Sequence, residues 1–217
     1  MPNTFVVGDD LFSFADSNWA LTGRSVAAQL DNAVPKDGAG EFVPAAGKTH
    51  TPRTEVTCEY TAQVYTAALT VALSLGLADP VSGYVPTRIE VTPEQTGHCK
   101  IRITGHAHGL VAHEVNSIDV TVDVDGFGCT DFISSTQAAG CQSSSWSASI
   151  EHIDRYTRDA QALLCGRSQG CKVEANVTIV ADTAPAAAAA WTVLSSEIKE
   201  GGDFYTASIR AEQHLAA

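Results

Sequence analysis

Positive charge is scarce in this sequence: 13 lysines and arginines stand against 25 aspartates and glutamates in 217 residues, a formal net charge of −12. The shortage is spread along the chain, with 7 basic against 11 acidic residues in 1–110 and 6 against 14 in 111–217. Affinity for a phosphate backbone comes from a basic footprint that releases counterions, so binding to nucleic acid is disfavoured. A conduit role stays compatible, because like charge keeps DNA from sticking. Long apolar runs are missing as well. The longest, Ala67 to Ala78, falls far short of the roughly 20 residues that cross a bilayer as a helix. Met1 to Asp10 lacks the basic segment and apolar run of a secretion signal, so a soluble protein made in the cytosol is expected. No Cys-x-x-Cys pair occurs among the six cysteines, at 58, 99, 129, 141, 165 and 171. Without a secretion signal these are expected to be reduced core or loop residues rather than a disulfide framework. Cys165 and Cys171, which flank 166–170, are the one pair worth checking for a bridge.

What the chain has is repetition. With 44% hydrophobic and 18% charged residues it is composed like a folded protein, and one order of elements is read twice. The first copy has an alternating segment Ser25 to Leu30, a long polar loop, a second alternating segment Glu55 to Thr61, and an Ala/Leu-rich stretch. In that stretch Val64, Ala67, Ala68, Val71, Ala72 and Leu75 recur at spacings of 3 and 4, which predicts a helix over Val64 to Leu77. The second copy has Ser145 to Ile153, a polar loop, Lys172 to Val180, and a helix predicted from Pro185 to Lys199, with proline at its first position and Gly201-Gly202 as its stop. Trp19 is expected to anchor the start of the first copy. Thr87 to Val91 and Cys99 to Ile103 predict a hairpin, Ile118 to Asp125 a strand with valines on one face and aspartates on the other, and Phe204 to Glu212 a closing strand. The reading is a mainly β, α+β protein: two similar antiparallel β-sandwich or barrel modules, 1–114 and 115–217, each with one covering helix. The first carries a strand-to-strand loop over 32–52 that exceeds ordinary hairpin length and has an apolar tip at Glu41-Phe42-Val43.

Chemical motifs are present but incomplete. Gly166-Arg167-Ser168-Gln169-Gly170 fits the Gly-x-Ser-x-Gly pattern of hydrolase nucleophiles, which needs a strand entering the turn and a helix leaving it. Here a strand follows, so a glycine-rich hairpin loop is the better reading. Gly47-Lys48-Thr49 matches the end of a phosphate-binding loop but has Phe42 where the motif needs glycine. His106, His108 and His113 form the best metal candidate, because alternate strand residues share a face; Glu114, His98 or Cys99 could complete a zinc site. A polar loop bracketed by Gly105 and Gly109 is the competing reading. Asp119, Asp123 and Asp125 before Gly126 hint at calcium, but Phe132 stands where a closing glutamate belongs. Asn176-Val177-Thr178 is formally a glycosylation acceptor, yet it falls on a predicted strand.

Two strands joined by a long loop, a covering helix and closing strands form an order that resembles the tail-tube proteins of bacteriophages and of related contractile injection systems. The resemblance rests on Ser25 to Leu30 with Glu55 to Thr61, on Ser145 to Ile153 with Lys172 to Val180, and on the helices from Val64 and Pro185. It implies that Asn32 to Pro52 and Arg155 to Gly170 are arms, the first reaching the adjacent ring. It also implies a two-module subunit in stacked rings, trimeric with pseudo-sixfold symmetry or hexameric, with other tail proteins as partners. Glu55, Thr57, Glu59 and Thr61 would be lumen positions. The expected function is a structural, non-enzymatic virion protein, assembled in the host cytoplasm. It would build a hollow, acidic-lined conduit through which DNA passes without specific binding, with no cofactor, no metal and no membrane. The alternatives are another β-rich virion component, such as a capsid decoration or adhesion module, and a metal-dependent enzyme built on His106, His108 and His113.

Overall fold

The computed structural model describes residues 9–29, 32–33, 37–41, 48–49, 53–64, 69–94, 97–107, 117–125, 128–129, 140–156, 163–183 and 190–215. These residues form strands and, among them, no helix. In chain order the strands are β1 (Trp19–Gln29), β2 (Asn32–Ala33), β3 (Lys48–Thr49), β4 (Arg53–Ala62), β5 (Leu69–Leu75), β6 (Val85–Thr92) and β7 (Lys100–Ala107). They continue with β8 (Ile118–Asp125), β9 (Gly128–Cys129), β10 (Cys141–Tyr156), β11 (Leu163–Ala181), β12 (Thr192–Gly201) and β13 (Phe204–Leu215). Eight of them form one sheet in the order β1-β4-β7-β6-β10-β11-β13-β12, and β5-β8-β9 form a smaller one. Every pairing is antiparallel.

Strict alternation decides which face of the large sheet is dry, because successive side chains on a strand point to opposite faces. On β4, Val56, Cys58, Tyr60 and Ala62 are buried, while Thr57, Glu59 and Thr61 lie on the other face. On β11, Cys171, Val173, Ala175, Val177 and Ile179 are buried. The small sheet follows the same rule: Ile118, Val120, Val122 and Val124 of β8 are buried, and Asp119 and Asp123 are exposed, as the sequence pattern predicts. Leu69, Val71 and Leu75 of β5 join the β8 residues, Ile89, Ile101, Ile103 and Trp146 in one apolar cluster. A sandwich results, in which each large buried aliphatic side chain contributes roughly 1.5–3 kcal/mol. The two halves of the chain share this sheet, because Trp146 of β10 pairs with Val91 of β6 and Ala148 with Ile89.

The predicted strand pairs form in the large sheet, with Ser25 opposite Thr57, Ser145 opposite Asn176 and Ile89 opposite Ile103. Both predicted covering helices are corrected where the chain is described. Leu69–Leu75 of the first is strand β5, paired with β8 from Leu69 opposite Val124 to Leu75 opposite Ile118; residues 65–68 lie outside the described residues. The spacing of 3 and 4 competed with a period of two through Leu69, Val71, Leu73 and Leu75, and pairing with β8 selects the latter. Thr192–Gly201 of the second is strand β12, and 184–189 lie outside the described residues. Gly202, at φ 70, and Asp203 form the two-residue turn between the paired Gly201 and Phe204. A glycine pair that suggested a helix stop is therefore a hairpin turn, which requires positive φ.

The long connections also differ from loops. Within the first arm Asn32 pairs with Thr49 and Ala33 with Lys48, a short two-stranded sheet of its own; residues 34–36, 42–47 and 50–52 lie outside the described residues. Asp37 closes a turn within it, its carboxylate accepting from the N–H groups of Ala39 and Glu41, both at 2.9 Å. Phe42 and Val43 lie outside the described residues. In the second arm, expected over Arg155 to Gly170, the described part is paired backbone, with Gly166 opposite Asp154, Cys165 opposite Arg155 and Leu163 opposite Tyr156; residues 157–162 lie outside the described residues.

Residues 9–19 close one end of the sandwich. Asp10 accepts from the N–H groups of Phe12 at 3.1 Å and Ala15 at 2.6 Å and from the Tyr60 hydroxyl. Fully buried Tyr60 therefore keeps a partner for its O–H, as a buried polar group must. Phe14 meets the Tyr60 ring edge-on at 5.0 Å, and Trp19 is buried at the start of β1, the anchor expected of it. Asp79 organises the turn before β6. Burial alone would raise its carboxyl, but hydrogen bonds from Ser82 N–H, the Ser13 side chain and Val81 N–H outweigh burial and hold it below its ordinary range.

Phe12 packs against Gly105 of β7. A Cβ there would lie 2.3 Å from the Val85 carbonyl oxygen and 2.9 Å from the Phe12 ring. Gly105→Ala is therefore expected to destabilise the fold by about 1–3 kcal/mol through overpacking, read as a lower urea midpoint at unchanged slope.

Candidate assembly surface

The wet face of the large sheet is built from the residues that alternate with the core. Arg102 of β7 donates to Glu59 of β4 at 2.8 Å, and Arg88 and Glu90 of β6 pair at 2.7 Å. Lys100 reaches Glu94 at 2.7 Å. On the second half, Lys172 bridges Glu174 at 3.0 Å and Glu212 at 3.1 Å, while Arg210 holds Glu174 at 3.1 Å. Hydroxyl pairs Thr57–Thr104 and Thr178–Ser208, each at 3.4 Å, lie between them. The Lys172 and Arg210 hydrogen bonds hold the Glu174 carboxyl below its usual range, and Lys172 does the same for Glu212. Of the four expected lumen residues, Thr57, Glu59 and Thr61 lie on this face, as does Glu55, opposite Ala27. The face is a lattice of paired charges rather than a uniformly acidic one. Further carboxylates stand on the small sheet, where Asp119 and Asp123 accept from the Ser74 and Thr70 hydroxyls.

Among the described residues, the hollows on this face are lined by threonines, serines and the same ion-paired groups. Gly166 to Gly170 lies inside β11, paired with Asp154 to Glu151, so Ser168 stands on a strand rather than at the strand-to-helix turn its motif requires. Gly170, at φ 52, is the extra residue between the pairs Glu151 with Gln169 and Ile150 with Cys171, a glycine bulge. Lys48-Thr49 is strand β3, not the start of a helix. His106 is buried on β7, whereas His108, His113 and Glu114 lie outside the described residues. No group of three or more His, Cys, Asp or Glu with metal-holding geometry occurs among the described residues. Cys171 is a free, buried thiol, pushed up to about 11 by burial. Cys165 sits six positions before it on the same strand, about 20 Å away at a rise of roughly 3.3 Å per residue, too far for a disulfide.

The large sheet has two ends, and both carry apolar side chains into solvent. Among the described residues, strand β1 pairs only with β4, and β12 only with β13. Val26 of β1 is 51% exposed, and Val193, Leu194 and Ile198 of β12 are 45–47% exposed. Every residue of β12 is exposed. Val26 lies opposite buried Val56, and Ile198 opposite buried Ala207, so both point to the dry side of the sheet. Val193, Leu194 and Ile198 were not found from the sequence, because a strand such as β12 that buries no face of its own leaves no burial period to read.

No protein-family model matches the chain, and no curated protein matches it.

The lattice makes a prediction of its own. A depressed carboxyl adds stability above its unfolded-state pKa and loses it as pH falls through the folded value. Glu174→Gln is therefore expected to cost less than about 1 kcal/mol near neutral pH. The difference from the parent should shrink below about pH 4 and in high salt, measured by urea unfolding across pH and ionic strength.

Proposed function

We propose that this chain is a structural subunit that assembles with copies of itself, and that the assembly is a hollow tube of the kind formed by bacteriophage tail-tube proteins. The observation that carries the reading is the pair of sheet ends, each a backbone edge unpaired among the described residues and bearing exposed valine, leucine or isoleucine. Such an edge invites addition of another strand. Because the two ends differ, the contact between copies is head-to-tail, and head-to-tail contacts close into rings when the rotation allows it. Strand order supports two similar modules within the chain. β1-β4-β7-β6 and β10-β11-β13-β12 are each a pair of hairpins, with the second strand of the first hairpin bonded to the second strand of the second.

In this arrangement the dry face carries the small sheet outward and the wet face lines the lumen. Paired charges along that lining give a passing polyanion no net basic foothold. The arms at β2–β3 and at the far ends of β10 and β11 extend beyond the shared sheet, where contacts between stacked rings would form. The subunit needs no cofactor and performs no reaction.

Electron microscopy and sedimentation of the purified protein test the reading. Rings or tubes are expected, and a strictly monomeric species at high concentration would overturn it. Ile198→Lys is expected to abolish association while changing the stability of the isolated subunit by no more than about 0.5 kcal/mol, since Ile198 is half-exposed there.

A further inference from the structure

Resting on that reading, we infer that the junction between β6 and β10 inside the chain is the template for the junction between copies, and that it places Val26 of one copy opposite Ile198 of the next. The inference starts from two irregularities. On β1 and β4 the register passes from Leu21 opposite Tyr60 to Gly23 opposite Glu59, skipping Thr22. On β10 and β11 it passes from Cys141 opposite Ile179 to Ser143 opposite Thr178, skipping Gln142. The other hairpins repeat the coincidence. Pro86 opposite Gly105 gives way to Arg88 opposite Thr104, and Val193 opposite Ala211 gives way to Ser195 opposite Arg210.

Aligning these bulges equates the strands residue by residue. Gly23 matches Ser143 and Glu59 matches Thr178; Arg88 matches Ser195 and Thr104 matches Arg210. Burial agrees without having been used: Ile101, Ile103 and Gly105 fall on Ala207, Ile209 and Ala211, all buried. Under this equivalence the free strand β1 corresponds to β10 and the free strand β12 to β6. Those two counterparts are the strands already joined inside the chain. Trp146 faces Val91 there, and Ser147 faces Glu90. Carried to the free edges, the first pair becomes Val26 with Ile198 and the second Ala27 with Glu197.

The transferred register brings together chemistry that suits it. An apolar pair, Trp146 with Val91, is replaced by another apolar pair whose members are both half-exposed in the isolated subunit. Glu90 falls on Glu197, which has Lys199 beside it at 3.0 Å, as Glu90 has Arg88. Two positions further along, exposed Arg24 comes opposite exposed Glu200, an opposite-charge cross-strand pair. The occupant of each edge is therefore a second copy of this chain, antiparallel and in this register.

Disulfide trapping tests it. Directly opposite residues on antiparallel strands lie about 4.5–5.5 Å apart, within the Cα range of a disulfide, and neighbours two positions away lie at about 7–8 Å. The double variant Ala27→Cys with Glu197→Cys is compared with Ala27→Cys carrying Ser195→Cys or Lys199→Cys, and with the parent, under mild oxidation on non-reducing gels. The 27/197 variant should form a ladder of covalent oligomers at least about tenfold faster than either shifted pair. A faster ladder from a shifted pair overturns the register and leaves self-assembly standing. No ladder from any pair, with assemblies present by sedimentation, overturns the edge junction. No ladder and only monomers overturns the tube reading itself. As a second measure, Arg24→Glu and Glu200→Arg should each weaken assembly, and the two together should restore it. Failure of the pair to restore assembly counts against the register.

Discussion

The constraint on which the rest of this molecule depends is the need to pair backbone N–H and C=O groups. Among the described residues, six strands of the large sheet meet it on both sides, and β1 and β12 on one. Alternation then divides what remains. One face of the sheet is apolar and is covered by β5, β8 and the segment around Phe12. The other is polar and neutralises its own charges across strands. Neither face leaves a broad unmet demand, so the unmet demand is concentrated at the two ends. Val26, Val193, Leu194 and Ile198 are exposed there because nothing in the described part of the subunit covers the dry side of its last strands.

Much of this architecture is legible in the sequence, and the exceptions have a common cause. Where a strand buries one face, the pattern is plain: valines and aspartates in Ile118 to Asp125, alternating apolar residues in Lys172 to Val180. The Ala-rich stretch ending at Leu75 carries both a helical and a period-two pattern, and what decides between them is β8, more than forty residues away in sequence. That partner is invisible to a local reading. β12 is harder still. All ten of its residues are exposed, so it has no dry face to announce it, and alanines before it favour a helix by propensity. Only its hydrogen bonds to β13 across the Gly202 turn make it a strand. Thr57, Glu59 and Thr61 could be named as polar-face positions in advance, because they alternate with buried residues of their own strand. The edges offered no such contrast.

The motifs that look chemical have structural explanations of the same kind. Ser168 is set between glycines because β11 needs a bulge at Gly170, where the register against β10 slips by one residue. Cys171 and Cys141 are small apolar side chains on the dry face, with thiols raised by burial. Acidity, the strongest compositional feature, does not collect on the wet face of the large sheet. Glu59, Glu90, Glu94, Glu174 and Glu212 there are paired with Arg88, Lys100, Arg102, Lys172 and Arg210. The carboxylates of Asp119 and Asp123 lie on the small sheet and accept hydrogen bonds from the Ser74 and Thr70 hydroxyls.

The proposed equivalence of the two halves gives the edges a specific meaning. Had the chain contained one four-stranded unit, its two ends would be two unrelated surfaces, and nothing would say that they fit each other. With two units, one end-to-end contact is already made, between β10 and β6, and it joins the same strand types as the contact still open between β1 and β12. A sheet that accommodates the first junction, with its twist and register, already contains the geometry needed for the second. In the proposed assembly each added copy would repeat one local rotation, and ring size would follow from that rotation rather than from any further feature of the edge. The four internal pairs, Trp146 to Ser149 against Val91 to Arg88, transfer to Val26 to Gln29 against Ile198 to Ser195. That stretch starts beyond the bulges at Thr22 and Leu194, so strand pairing along it asks for no rearrangement of the subunit.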